Sequence, residues 1–359
     1  MKRLITATPV WVRLAAAAAL TVTLTSGCSL KSGHSAIDPP PQDLSGSVLP
    51  TLSTATAPQA VTDTQGHAQA CVYLQDASGY LVPVTMPIGN PEKIAVQALE
   101  YLVEGGAYEA QLPPGFSPVL PKGTQIKSIN IKPDQKLAVV DFSKEFGKYD
   151  EKEERKIMEA VTWTLTNFST VDMVSLRING YQLNEMPVGK TPIDGTLSRA
   201  MGINLESSDV ASLGQTVPVT LYFLGAGAGQ AEPYYIPVTR MIKRTDNIGM
   251  ASMQQLIAGP KQSSSKALLS TMAGSEQVLD VKLSGDKQTV TVNFGENVLG
   301  TDSKVSDEAM QAVILSLTEN TGASKVQIMV DGSSKFTGTK GQIYSKPVTR
   351  PVHVNMTKM

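Results

Sequence analysis

Apolar and polar positions along the chain regroup in an order that occurs twice. The stretch "CVYLQDASGYLVPVTMPI", from Cys71 to Ile88, sets two runs rich in β-formers around Asp76-Ala77-Ser78-Gly79 and predicts a hairpin. A helix is predicted next: Asn90 is placed to cap it, Pro91 takes its first position, and Ile94, Ala95, Ala98, Leu99 and Leu102 share one face before Gly105. Alternation returns in "TQIKSINIK", "PDQK" turns the chain, and "LAVVDF" is the next strand. A second helix starts near Asp150, with Glu153 three residues on as in a capping box. Its apolar face is Ile157, Val161, Leu165 and Phe168, and "MVSLRING" closes the set as a strand.

Phe142 and Phe294, Val161 and Val313, Leu165 and Leu317, Leu176 and Ile328, Ile178 and Val330, and Gly180 and Gly332 each stand 152 residues apart. Pro83-Val84-Thr85 and Pro237-Val238-Thr239, like Gly105 and Gly259, stand 154 apart, so a loop between these blocks changes length. Roughly 130 residues are duplicated, as a tandem pair and not a solenoid. Each copy reads strand, strand, helix, strand, strand, helix, strand. Helices that interrupt strand pairs predict an α+β fold: two tandem copies of a small sheet with two helices packed on one face.

The N-terminus follows another pattern. Lys2, Arg3 and Arg13 precede an apolar run from Leu14 to Leu24, which predicts a secretory signal peptide over residues 1–27 and is too short to favour a spanning helix. Thr25-Ser26-Gly27-Cys28 is similar to the lipobox of bacterial lipoproteins, with Thr25 where that motif prefers Leu, and makes Cys28 the expected attachment site of a diacylglycerol and palmitate anchor. Residues 28–70, rich in Ser, Thr, Pro and Ala, read as a disordered tether. The first repeat is expected over 71–205, a linker over 206–216 and the second repeat over 217–359.

Composition narrows the chemistry. The formal net charge of −1 supplies no global field for nucleic acid. His34 and His67 fall in the tether and His353 in the C-terminal segment, so a Ser-His-Asp or Cys-His arrangement has no histidine in either core. No paired His or Cys spacing suggests a metal. Cys71 reads as a small buried residue. Asp150, Glu151, Glu153 and Glu154 form the densest acidic cluster and read as a solvated first helical turn. "GAGAG" at 225–229 is followed by a strand and reads as a hairpin tip, not a dinucleotide loop. Met241, Met250, Met253, Met272, Met310 and Met329 read as core fillers. After Asp331, Lys335, Lys340, Lys346, Arg350 and Lys358 stand without an acidic side chain, as a solvated tail or a surface for an acidic partner or anionic lipid.

Asp141 and Glu145 are the best carboxylates for a wall-processing enzyme, which needs such a pair across a glycosidic bond. The second copy has Asn293 where the first has Asp141; Asp and Asn share local hydrogen bonding but not acid–base chemistry, so the position reads as architecture. No catalytic, metal or cofactor residue is assigned.

The order Pro121-Lys122-Gly123-Thr124, "QIKSINIK", "LAVVDFSKEF" and "SLRINGYQ" resembles the GerM-domain family of spore-forming bacteria over about residues 71–356, although the second copy lacks the Pro-Lys-Gly-Thr turn. The resemblance implies domains similar to ring-building-motif domains, and a lipoprotein on the extracytoplasmic face of the mother-cell membrane, facing the space before the forespore. It further implies a non-enzymatic scaffold whose partners are proteins of a mother cell to forespore channel complex, also needed for germination competence, with a ring or other oligomer left open. The alternative is a ligand-binding lipoprotein that senses a germinant or a cell-wall fragment, for which an apolar pocket is the requirement.

Overall fold

Both hairpins form where the alternation placed them. The computed structural model describes residues 61–62, 68–206, 213–225, 233–261, 264 and 267–355. In the first repeat, β1 (Ala68–Asp76) pairs antiparallel with β2 (Leu81–Pro87), Tyr73 facing Pro83. The Asp76 carboxylate accepts the Ser78 and Tyr80 N–H groups and so tightens the turn. Asn90 caps a 3₁₀ turn, Pro91–Lys93, that leads into α1 (Ile94–Glu100). Antiparallel β3 (Ile126–Lys132) and β4 (Leu137–Phe142) follow, then α2 (Glu154–Leu165), β5 (Met173–Ile178) parallel to β4, and the short β6 (Tyr181–Gln182).

The second repeat runs through β7 (Thr216–Gly225), β8 (Tyr235–Lys243), α3 (Ile248–Ile257), β9 (Val278–Leu283), β10 (Thr289–Phe294), α4 (Asp307–Thr321), β11 (Lys325–Val330) and β12 (Val348–Thr349). Its pairings repeat those of the first: β7 with β8 antiparallel, β9 with β10 antiparallel, β10 with β11 parallel.

The α+β class holds, but the strands of each repeat do not share one sheet. The hairpin stands apart from the mixed sheet, whose strand order is β3-β4-β5-β6 in the first repeat and β9-β10-β11-β12 in the second. The reason lies in the second helix. Beside the expected face of Ile157, Val161, Leu165 and Phe168, α2 also buries Met158, Ala160 and Trp163. It touches the hairpin on one side and the mixed sheet on the other, and α4 does the same. A helix apolar on several sides is buried between layers. Hydroxyls fasten it: Tyr73 N–H donates to Thr164 Oγ1, and in the second repeat Tyr222 N–H donates to Ser316 Oγ.

Helix entry also differs from the capping-box expectation. Asp150 accepts the Lys152 N–H and caps a 3₁₀ turn, Glu151–Glu153, while Glu153 pairs with Lys156 at 2.8 Å. The tighter turn moves the cap bond one residue earlier and leaves Glu153 free to face its own helix. The described residues all belong to one compact unit. Among the described residues no helix is long and apolar enough to cross a membrane.

Candidate functional site at the junction of the repeats

The outer edges of β2 and β8 face each other across the junction, and they carry the duplicated Pro-Val-Thr. Proline has no N–H, so Pro83 and Pro237 interrupt each edge as a template for a continuous ladder. Two asparagines bridge the edges instead, each in the left-handed region that Asn tolerates, with φ of 47° at Asn204 and 57° at Asn355. Asn204 accepts the Leu81 N–H, and its Nδ2 donates to Leu81 O at 2.8 Å and to Pro237 O at 2.7 Å. Asn355 accepts the Tyr235 N–H, and its Nδ2 donates to Tyr235 O at 2.8 Å and to Pro83 O at 2.9 Å. The two sets are reciprocal: each amide completes a residue of one hairpin and crosses to the proline carbonyl of the other.

The segments carrying these asparagines continue the exchange. Thr239 N–H donates to Ile203 O, and Thr85 Oγ1 donates to Val354 O. Gly202, at φ 79°, lies so close to Thr239 that a Cβ would sit 2.9 Å from its Cγ2, so only glycine fits. Tyr234 Oη donates to the buried Asp76 across the same junction, at 2.9 Å.

Beside the amides lies an ionic cluster. Glu319 pairs with Arg199 at 2.9 Å and with Arg350 at 2.8 Å, so one carboxylate serves a guanidinium from each repeat. Arg199 also donates to Thr166 Oγ1 and Arg350 to Thr318 Oγ1, the same contact made within each repeat. Arg199 stacks over Trp163 and Arg350 over Tyr222. Burial works against the Glu319 charge, but the two guanidiniums outweigh it and hold the carboxyl below its ordinary pKa. Burial likewise opposes the Arg199 charge, and Glu319 reverses the effect. A second buried pair, Glu206 with Arg240 at 2.8 Å, anchors the end of the segment that carries Asn204 to β8.

The carboxylates singled out in the sequence serve the same kind of work. Asp141 Oδ1 accepts the Gly180 N–H at 2.8 Å, and Asn293 Oδ1 accepts the Gly332 N–H at 2.9 Å. Glu145 is held below the ordinary carboxylate pKa first by a hydrogen bond from the buried Ser143 side chain, with the exposed Lys148 adding to it. The acidic cluster divides. Asp150 and Glu151 are exposed, but Glu154, expected in a solvated turn, is buried. It accepts Gly189 N–H at 2.6 Å, Thr191 Oγ1 at 2.5 Å and Tyr149 Oη at 2.8 Å, which ties the loop after β6 to α2. Burial raises its pKa, and these donors outweigh burial and lower it. Asp307 plays the same part in the second repeat, accepting Tyr344 Oη at 2.8 Å and the Lys340 N–H. Among the described residues no group of three His, Cys, Asp or Glu side chains converges as metal ligands.

Cys71 is buried, and burial pushes its thiol up to about 12. Met253, Met272 and Met310 are buried, while Met241, Met250 and Met329 are half-buried. The C-terminal cations divide between the junction and solvent. Arg350 belongs to the ionic cluster and Lys340 pairs with Glu308 at 2.8 Å, because carboxylates of α4 stand beneath this segment; Lys335 and Lys346 are exposed. Gly225 ends β7 of the second hairpin. Cys28, His34, His67, Gly227, Gly229 and Lys358 lie outside the described residues. An open cleft of about 530 Å³ between α2 and residues 204–206 is lined by Ser78, Tyr80, Lys152, Arg155, Lys156 and Leu205 among others.

No sequence motif marks Asn204, Asn355, Arg199 or Glu319, and Arg350 stands out only as one of the C-terminal cations. Asn204 and Asn355, like Arg199 and Arg350, stand 151 residues apart, and extending the repeat register past Gly180 and Gly332 would have paired them.

The Germane family, described as sporulation and spore germination, matches residues 71–184 and 220–336. The spore germination protein GerM of Bacillus subtilis (strain 168) is 38% identical over 351 residues, covering 92% of this chain and 94% of the relative. The solved tandem GerMN domains of the sporulation protein GerM from Bacillus subtilis superpose with a TM-score of 0.74 at 40% identity, covering 80% of this chain and 99% of that one.

Proposed function

The chain belongs to the Germane family of sporulation and spore germination, and from that premise we propose that it is a non-catalytic scaffold of an envelope complex. In this reading it acts in sporulation and in germination, held by lipid at Cys28 on the extracytoplasmic face of the mother-cell membrane. There it meets protein components of the channel between mother cell and forespore. The observation that carries the reading is the junction. Asn204, Asn355, Arg199, Glu319 and Arg350 spend their polar groups on holding two repeats in one fixed arrangement. A rigid pair presents its outer surfaces at a constant spacing, which is what a scaffold contributes to an assembly with several partners.

The test is proximity labelling from the intact chain in sporulating cells, compared with a variant in which Cys28 is replaced by Ala. Recovery of envelope-complex proteins that depends on Cys28 supports the proposal. Recovery of none, with channel components localised normally in a deletion strain, overturns it.

A further inference from the structure

Tyr181 is 80% exposed, the most exposed large hydrophobic side chain among the described residues. It sits in β6 and lines an open cleft of about 620 Å³ together with the apolar side chains of Ile178, Leu183 and Pro187. Gln182, Asn184, Glu185 and Lys190 complete the lining. Glu185 and Lys190 pair at 3.0 Å and stay more than half exposed, so both keep hydrogen-bonding capacity. No hydrogen bond engages the side chains of Tyr181, Gln182 or Asn184 among the described residues.

The fold does not require this arrangement. The turn before it is the same in both repeats, with Gly180 and Gly332 at φ 86° and 76° under their Asp141 and Asn293 caps. At the same register the second repeat has Ser333-Ser334-Lys335-Phe336. Its only ring, Phe336, is turned inward and stacks on Tyr344 at 5.5 Å. The exposed ring is private to the first repeat.

We propose that the Tyr181 cleft binds an oligosaccharide. A pyranose offers a flat face of C–H groups bordered by hydroxyls. An exposed aromatic face takes the first by dispersion, and free planar amides, which both donate and accept, take the second. Glu185 adds acceptors and Lys190 adds donors at the rim. A protein hot spot would instead have an apolar centre depleted of charge, whereas here two amides and a charged pair share the lining with the ring and its apolar neighbours. This inference goes beyond the scaffold reading and stands or falls separately from it.

The test titrates chitotetraose into the purified full chain, read by saturation-transfer NMR and calorimetry. Wild type is compared with Tyr181→Ala, Tyr181→Phe and the double variant Gln182→Ala/Asn184→Ala. Saturable binding is expected, weakened about tenfold or more by Tyr181→Ala and largely kept by Tyr181→Phe, because the ring face makes the contact. The amide variant should fall between them. Circular dichroism of each variant separates loss of binding from loss of fold. No saturation transfer to wild type at millimolar sugar, or equal binding by Tyr181→Ala, overturns the proposal. So does a result in which Tyr181→Ala removes a protein partner while wild type ignores the sugar.

Discussion

In the first repeat the position between α2 and the junction holds Asn167; in the second, 152 residues on, it holds Glu319. Asn167 lies at the margin of Arg199, at 3.5 Å, while Glu319 faces both guanidiniums. The two repeats share their layers, caps and helix hydroxyls, yet they supply the junction unequally. A symmetric pair of glutamates would bring two like charges together, and a symmetric pair of asparagines would leave two guanidiniums without a counter-charge. One of each leaves the cluster with a single carboxylate between two cations. Duplication provides the reciprocal geometry, and one substitution sets its electrostatics.

Removing that carboxylate is the largest test of the contrast. Glu319→Gln keeps the shape and leaves both guanidiniums unpaired. It should cost about 3 kcal/mol in urea unfolding, toward the low end for a buried pair because 24% and 27% of the two arginine side chains remain in water. Asn167→Asp should change far less, since that side chain is exposed and meets Arg199 only at 3.5 Å. Acid gives an independent reading. The Glu319 pKa is lowered in the folded protein, so its contribution is present above the unfolded carboxylate pKa of about 4.3 and is lost as pH falls through the folded value. The stability gap between wild type and Glu319→Gln should therefore hold from pH 7 to about 5 and close below about 4. A gap that widens in acid would remove Glu319 from this role.

Next in size are the bridging amides. Asn355→Ala and Asn204→Ala each remove three hydrogen bonds and should each cost about 2 kcal/mol. The comparison sharpens in their ratio: reciprocal bridges predict losses equal to within about 0.5 kcal/mol. Asn355→Gly keeps the left-handed backbone and separates the hydrogen bonds from the conformation. If Asn204→Ala costs much and Asn355→Ala nothing, the C-terminal segment is not part of the junction.

Much of each repeat was legible in the sequence because periodicity reports which face an element buries. The hairpins, the apolar faces of α1 and α2 and the 152-residue register all follow from that. Pro83-Val84-Thr85 and Pro237-Val238-Thr239 were visible as a repeated block, but their meaning was not: a proline on a strand says that an edge is interrupted, not what covers it. Trp163 lies off the main apolar stripe of α2, so the helix reads as one-sided until the hairpin is seen against its other side. Asn204 and Arg199 sit in a segment with no regular period, where single polar residues look like loop. Glu154 looked like the charged neighbours it follows, and only the loop folded onto it distinguishes it.

The smallest effects fall at the strand ends, where the repeats differ in chemistry and agree in geometry. Asp141→Ala should cost about 1 kcal/mol, one hydrogen bond to the Gly180 N–H, and Asn293→Ala about the same. The exchange Asp141→Asn with Asn293→Asp should change stability by less than about 0.5 kcal/mol, because each oxygen still accepts the same N–H. Sporulation efficiency of a strain carrying the exchange checks the rest of the reading. An acid or base at Asp141 would lose its proton chemistry in that strain while the fold stays intact, so normal sporulation leaves the carboxylate its hydrogen bond alone. A folded variant with defective spores would instead place a function in the first repeat that the second has given up.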